Sequence, residues 1–160
     1  MTDEQTVKQL RDRAAIEDTL VRYADALDRL VIDPSDPQEL ASCFADDVHA
    51  KYGKRVLNGA AELVEMLQGA SAYERTTHHM GNIAISFTGP GRAAARSSCV
   101  AYICGADPDS DELVIRGVRY RDELEERDGA WVITDRRHSV DWMVRVPSVT
   151  MDPLSMLASR

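Results

Sequence analysis

Apolar positions recur at helical spacing in the first part of the chain and alternate along the second, with a sharp change between. From about Asp3 to Leu30 there is no Gly or Pro, and Ile16, Leu20, Tyr23, Leu27 and Leu30 share one helical face. Asp33-Pro34-Ser35-Asp36-Pro37 ends that helix, and Pro37 opens a short second one running to Phe44. A small hairpin is predicted from Val48 to Tyr52 and Lys54 to Leu57, around Gly53. A third helix follows Asn58-Gly59 and stops near Gly69. Thr76 to Thr88 then alternates and ends at Gly89-Pro90-Gly91. Arg92 to Cys104, Glu112 to Arg127 and Ala130 to Arg145 continue as strands, the last two joined by the hairpin signal Asp128-Gly129.

Helices followed by a long meander predict an α+β fold, in which a curved antiparallel β-sheet and three helices enclose a pocket. With 160 residues, the chain suits one domain over 1–160, with 147–160 as a C-terminal tail. The acidic loop Asp107 to Glu112 reads as a solvated turn.

Charge narrows the partners. The formal net charge is −8 and no Lys/Arg run forms a basic stripe, which argues against nucleic acid and anionic membrane. No uninterrupted apolar stretch is long enough to span a membrane. The acidic start Met1-Thr2-Asp3-Glu4-Gln5 has no signal-peptide core, and Cys43, Cys99 and Cys104 have neither redox nor zinc spacing. A reduced, cytoplasmic protein is expected. Neither G-x-S-x-G nor G-x-G-x-x-G occurs, which removes the serine-hydrolase and nucleotide-cofactor readings.

Several polar residues sit where a plain core would not place them. On a helical wheel Asp28 falls about 100° from the apolar centre, at the edge of the buried face, and Asp25 about 160°. In the last strand, strict alternation groups Val132, Thr134, Arg136, His138, Val140, Trp142 and Val144 on one face. A cation on that face either pairs with a structural carboxylate such as Asp122 or points at a ligand. The opposite face carries Trp131, Ile133 and Met143, apolar residues for which a homodimer or homotrimer contact is expected. Alternation from Ile83, Ile85 and Phe87 puts His79 inward and His78 outward, unless Gly81 marks a bulge that reverses the phase. Adjacent histidines do not make a converging metal triad, so neither a metal nor another cofactor is expected.

Five segments, in this order and spacing, resemble the NTF2-like superfamily. They are Arg13-Ala14-Ala15-Ile16-Glu17-Asp18, Tyr23 through Arg29, Phe44-Ala45-Asp46-Asp47, Thr77 through Asn82, and Arg127 through Trp131. The resemblance is to the SnoaL-like branch containing scytalone dehydratase and lindane dehydrochlorinase, and it runs from about Arg13 to Val146. It implies a cone-shaped pocket with an Asp-His catalytic dyad at its mouth, matched by Asp28 and His78. It therefore favours His78 over His79. A substrate-contacting tyrosine matches Tyr52, a pocket arginine matches Arg136, and the closing tryptophan matches Trp142. Tyr23, Leu27, Met80, Tyr120, His138 and Trp142 are expected to line the substrate pocket. Leu27 replaces a family tyrosine, Tyr23 a pocket lysine, and Arg119 and Arg121 align roughly with a serine and an asparagine. The surrounding shell therefore differs from either relative.

The resemblance implies a cofactor-independent lyase or isomerase acting on a small hydrophobic cyclic substrate. His78 would be the general base, with Tyr52 and Arg136 stabilising developing negative charge. A non-catalytic ligand-binding or structural module, such as an oxygenase small subunit, is the alternative. That reading predicts a filled cone and a large partner surface, and the discriminator is whether Asp28 and His78 lie within hydrogen-bond reach inside a closed pocket.

Overall fold

The computed structural model describes residues 2–69, 73–105 and 112–147; the acidic loop and the tail expected from sequence lie almost wholly outside them. Helix α1 spans Asp3–Ile32 and opens with a capping box. The Thr2 hydroxyl accepts the Gln5 N–H at 3.3 Å, and the Gln5 side chain accepts the Thr2 N–H at 2.9 Å. Asp33 ends the helix in an extended conformation, as a residue preceding proline prefers. Helix α2 is shorter than its spacing suggests, Gln38–Ser42, and Phe44 begins strand β1, Phe44–Tyr52. The Cys43 carbonyl accepts the Ile133 N–H at 2.9 Å, which draws the chain onto the sheet just where the helix stops. Strand β2 (Arg55–Asn58) and helix α3 (Ala60–Gln68) follow, then β3 (Arg75–Gly89), β4 (Arg92–Cys104), β5 (Leu113–Arg127) and β6 (Ala130–Val146).

The six strands form one sheet in the order β2-β1-β6-β5-β4-β3. It is mixed: every pair is antiparallel except β1 with β6, which run parallel. Local alternation carries no information on which distant strand closes the sheet, so this parallel seam was not readable in advance. Helix α1 lies across the concave face and buries Ile16, Leu20, Tyr23, Leu27 and Leu30 against it. Strand β4 presents Ala93, Ala95, Ser97, Cys99 and Ala101 inward, all small side chains. They leave the cone partly unfilled.

Three bulges set which side chains face the helices. Ile133 pairs with Leu124 and Asp135 with Glu123, so Thr134 is an extra residue. Trp131 and Ile133 therefore point inward before it, and Arg136 and His138 after it. This corrects the strict alternation: Trp131 and Ile133 belong to the core, at 4% and 0% exposure, and provide no surface for self-association. A second extra residue, Asp141, lies between Val140 (opposite Val118) and Trp142 (opposite Gly117). Trp142 consequently lies over Gly117 on the convex face, where a Cβ on that glycine would meet the indole at 2.1 Å. It does not line the pocket. The third bulge sets Asn82 and Ile83 against Ser97 alone, with Asn82 at φ 49°. It reverses the phase of β3, so Thr76, His78 and Met80 face inward together with Ile83, Ile85 and Phe87.

Arg136 is wholly buried. Its Nε donates to Asp122 Oδ1 at 2.7 Å and its Nη2 to Asp122 Oδ2 at 2.9 Å. The guanidinium carbon also sits 4.0 Å from the Tyr23 ring centre and 4.6 Å from that of Tyr120. Of the two roles open to it from sequence, Arg136 takes the structural ion pair. Removing the carboxylate alone strands a buried charge. Asp122→Ala is expected to destabilise the fold by about 3–5 kcal/mol in urea denaturation, whereas Arg136→Met/Asp122→Leu recovers most of the loss. A single variant as stable as the parent would contradict this account.

Candidate active site

A cavity of about 410 Å³ lies between the concave face and helices α1 and α3. Its floor is formed by Ala101 and Ile103 of β4 and Val118 of β5, and Leu27, Met66 and Leu67 supply apolar wall. Its polar lining includes His78 and Thr76 on one side, and Tyr23, Tyr52, Tyr120 and His138 towards the other side of the sheet.

Asp28 flanks the buried stripe of α1 and turns towards β3. Its Oδ1 accepts from His78 Nδ1 at 2.6 Å and from the Thr76 hydroxyl at 2.7 Å. Its Oδ2 accepts the backbone N–H of His78 at 2.8 Å. Burial alone would push this carboxyl up. The hydrogen bonds from the His78 ring, the His78 N–H and the Thr76 hydroxyl outweigh it, and hold Asp28 below the usual carboxylate range. An ionised Asp28 accepts only, so Nδ1 of His78 carries the proton and Nε2 is left as the basic nitrogen. Thr76 was not singled out from sequence. Its signal was present, because it stands two residues before His78 on the same strand face.

The other polar group is phenolic. The Tyr23 and Tyr52 hydroxyls are 3.2 Å apart, and Tyr52 stacks on the His138 ring at 4.7 Å. Burial pushes both phenols well up, so they remain protonated and act as hydrogen-bond donors. His138 is pushed down to about 4, by burial first and then by the positive charges of Arg136 and Arg116. It is neutral at pH 7. Cys99 is pushed up to about 12, mainly by burial, and is no nucleophile at neutral pH.

Of the residues singled out from sequence, His78, Tyr52, Tyr23, Leu27, Tyr120 and His138 line the cavity, with Asp28 hydrogen-bonded behind His78. Three do not line it. Met80 faces inward but packs against the core, Trp142 lies on the convex face, and Arg136 is sealed beneath the tyrosines. Arg119 and Arg121 are exposed on the convex face of β5, and the arginine of that strand that reaches the cavity is Arg116. Its parity with Val114, Val118 and Tyr120 was the available signal. Among the described residues no group of three or more His, Cys, Asp or Glu side chains is placed to hold a metal ion. No helix among them is long and apolar enough to cross a membrane.

The depressed His138 makes stability depend on pH. The unfolded chain takes up this proton near 6.5 and the folded protein only near 4, so the contribution is complete above about pH 6.5. It is lost as pH falls from 6.5 to about 4, with an upper limit of about 3 kcal/mol before solvent screening. His138→Gln is expected to flatten that limb of the stability–pH curve in urea denaturation. An unchanged slope would contradict the assignment.

Residues 8–137 match the SnoaL-like domain family. No curated protein matches the chain in sequence. Among solved structures, a scytalone dehydratase-like protein from Novosphingobium aromaticivorans is 24% identical over 93% of this chain and 97% of its own, with a TM-score of 0.78. A type 3 hexachlorocyclohexane dehydrochlorinase from Novosphingobium barchaimii is 16% identical over 92% and 99%, with a TM-score of 0.80. A protein of unknown function with a cystatin-like fold, from Nostoc punctiforme, is 18% identical over 81% and 91%, with a TM-score of 0.65. At such identities the likeness is one of fold. The family match covers most of the chain, and this protein belongs to the SnoaL-like domain family, in the NTF2-like superfamily.

Proposed function

We propose that this protein is a cofactor-independent lyase or isomerase that removes a proton from carbon in a small, largely hydrophobic cyclic substrate. The observation that carries this reading is the 2.6 Å contact between Asp28 and His78, with His78 on the wall of the cavity. His78 Nε2 takes the proton, and Asp28 holds the Nδ1–H and stabilises the imidazolium as it forms. The electron pair of the broken C–H bond becomes a C=C bond or an enolate. In an elimination the C–O or C–X bond breaks with its electron pair as the C=C bond forms, and the departing hydroxide or halide takes the proton from the imidazolium to leave as water or HX. In an isomerisation, the imidazolium returns the proton to another carbon.

Developing negative charge on oxygen falls to the tyrosine hydroxyls. Tyr52 and Tyr23 are protonated donors on the cavity wall, whereas Arg136 already gives two of its donors to Asp122. This reassigns the role that the family resemblance gave to Arg136. A ligand of modest size fits the 410 Å³ of space, and that space argues against a filled, purely structural cone.

Cyclic hydroxy-ketones and cyclic halides form the screen, with alkene or halide release as the readout. His78→Ala is expected to lower turnover by about 10²–10⁴-fold and Asp28→Asn by at least about tenfold, with unchanged circular dichroism. Undiminished activity in either variant would overturn the dyad. Independently of any substrate, ¹⁵N NMR of His78 is expected to report the Nδ1–H tautomer in the parent and a loss of that preference in Asp28→Asn.

A further inference from the structure

The cavity of this acidic protein is lined by cations rather than acids. The chain carries a formal net charge of −8, yet among the described residues the charged side chains on the cavity wall are Arg55 and Arg116, with no Asp or Glu. Asp28 approaches only from behind His78, with both oxygens occupied by hydrogen bonds.

Arg116 stands in a telling place in the sheet. His78 of β3 pairs with Ala101 of β4, and Ala101 pairs with Arg116 of β5, so the three lie in one row across the strands. Strand spacing sets the His78 and Arg116 backbones about 10 Å apart, with both side chains on the concave face and only the Ala101 methyl between them. The next residue in the row is Met143 of β6, which offers no charge. Several other sheet arginines have carboxylate partners: Arg119 with Asp141, Arg127 with Glu125, Arg136 with Asp122, Arg145 with Glu112. Arg55, Arg75, Arg96 and Arg121 have no ion pair among the described residues, but they are exposed to water, whereas Arg116 is half-buried. None of the ion pairs among the described residues involves Arg116. A half-buried guanidinium on a largely apolar wall is satisfied best by a planar anion that takes two of its donors.

We infer that the ligand of this cavity carries a carboxylate, held by Arg116, on a ring that lies over Ala101 with its reactive C–H towards His78. The substrate class is thus a small cyclic carboxylic acid. This deepens the reading of His78 as general base and rests on it for the orientation of the ring, but the anchoring of the anion requires no turnover. The remaining groups agree in sign. Arg116 already weighs on the His138 ring, Arg136 lies beneath the tyrosines with Nη1 unpartnered, and Arg55 stands on the same cavity wall. An anion beside Arg116 offsets the positive charge that adds to burial in depressing His138.

The test uses the full chain and two isosteric probes, benzoate and the neutral benzamide, with NMR-detected titration of the His78 and His138 ring signals. Benzoate is expected to bind at least about tenfold more tightly than benzamide. Arg116→Gln is expected to remove that preference, Arg116→Lys to restore part of it, and neither to change benzamide binding. In the benzoate complex, His138 is expected to titrate at higher pH than in the free protein. Equal binding of the two probes, no benzoate binding at millimolar concentration, or a benzoate affinity unchanged in Arg116→Gln would each overturn the proposal. His78→Ala separates the two readings: it leaves benzoate bound if the anchor is right, whatever becomes of turnover.

Discussion

A guanidinium with no access to water has to find its charge and its donors within the protein, and in this fold that requirement falls on Arg136. Asp122 on the neighbouring strand takes two donors, and the rings of Tyr23, Tyr120 and Phe44 cover its faces. Those groups come from α1, β5 and β1, while the arginine belongs to β6. The helix, the antiparallel meander and the parallel seam thus meet at one charge. Tyr23 is held there by its ring, which leaves its hydroxyl facing Tyr52 at the cavity wall. A structural ion pair in this way positions the donors of the candidate site without entering it.

Around that anchor, similar chemical groups are driven to different states by what surrounds them. Asp28 stays ionised because three donors outweigh its burial, and His138 stays neutral because burial and two arginines disfavour its charged form. His78 is tied by Nδ1 to an ionised carboxylate, which leaves Nε2 as the ring nitrogen that Asp28 does not engage. The phenols are kept protonated by the same burial that depresses His138. An acceptor on one side of the sheet and donors towards the other make the cavity polar in a directed way, on an apolar floor.

The bulges are as consequential as any contact. Each adds one residue to one strand and flips every side chain beyond it. The one at Asn82 brings His78 inward and the one at Thr134 brings Arg136 and His138 inward, while the one at Asp141 carries Trp142 to the outside. Without the first two, the same strands would present His79 and Arg137 to the helices.

Local signals were enough to delimit most of the elements, the exceptions being the end of α2 and the start of β1. Helical spacing from Ile16 to Leu30, the prolines at 34 and 37 and the turns at Gly91 and Gly129 act over a few residues, so the chain states them directly. The wheel position of Asp28 was legible for the same reason, and so was the inward parity of Arg116 on the unbulged strand β5. The parallel seam between β1 and β6, the phase of β3 and β6 beyond each bulge, and the choice between an ion pair and a ligand for Arg136 were not. Each depends on a partner far away in sequence: Ile133 beside Phe44, Ser97 against Asn82 and Ile83, Asp122 against Arg136. Most of the elements and the chemistry they carry are written in the chain, because propensity and periodicity are local. Which face that chemistry meets was decided only when strands paired, because register is a property of two chain segments and not of one.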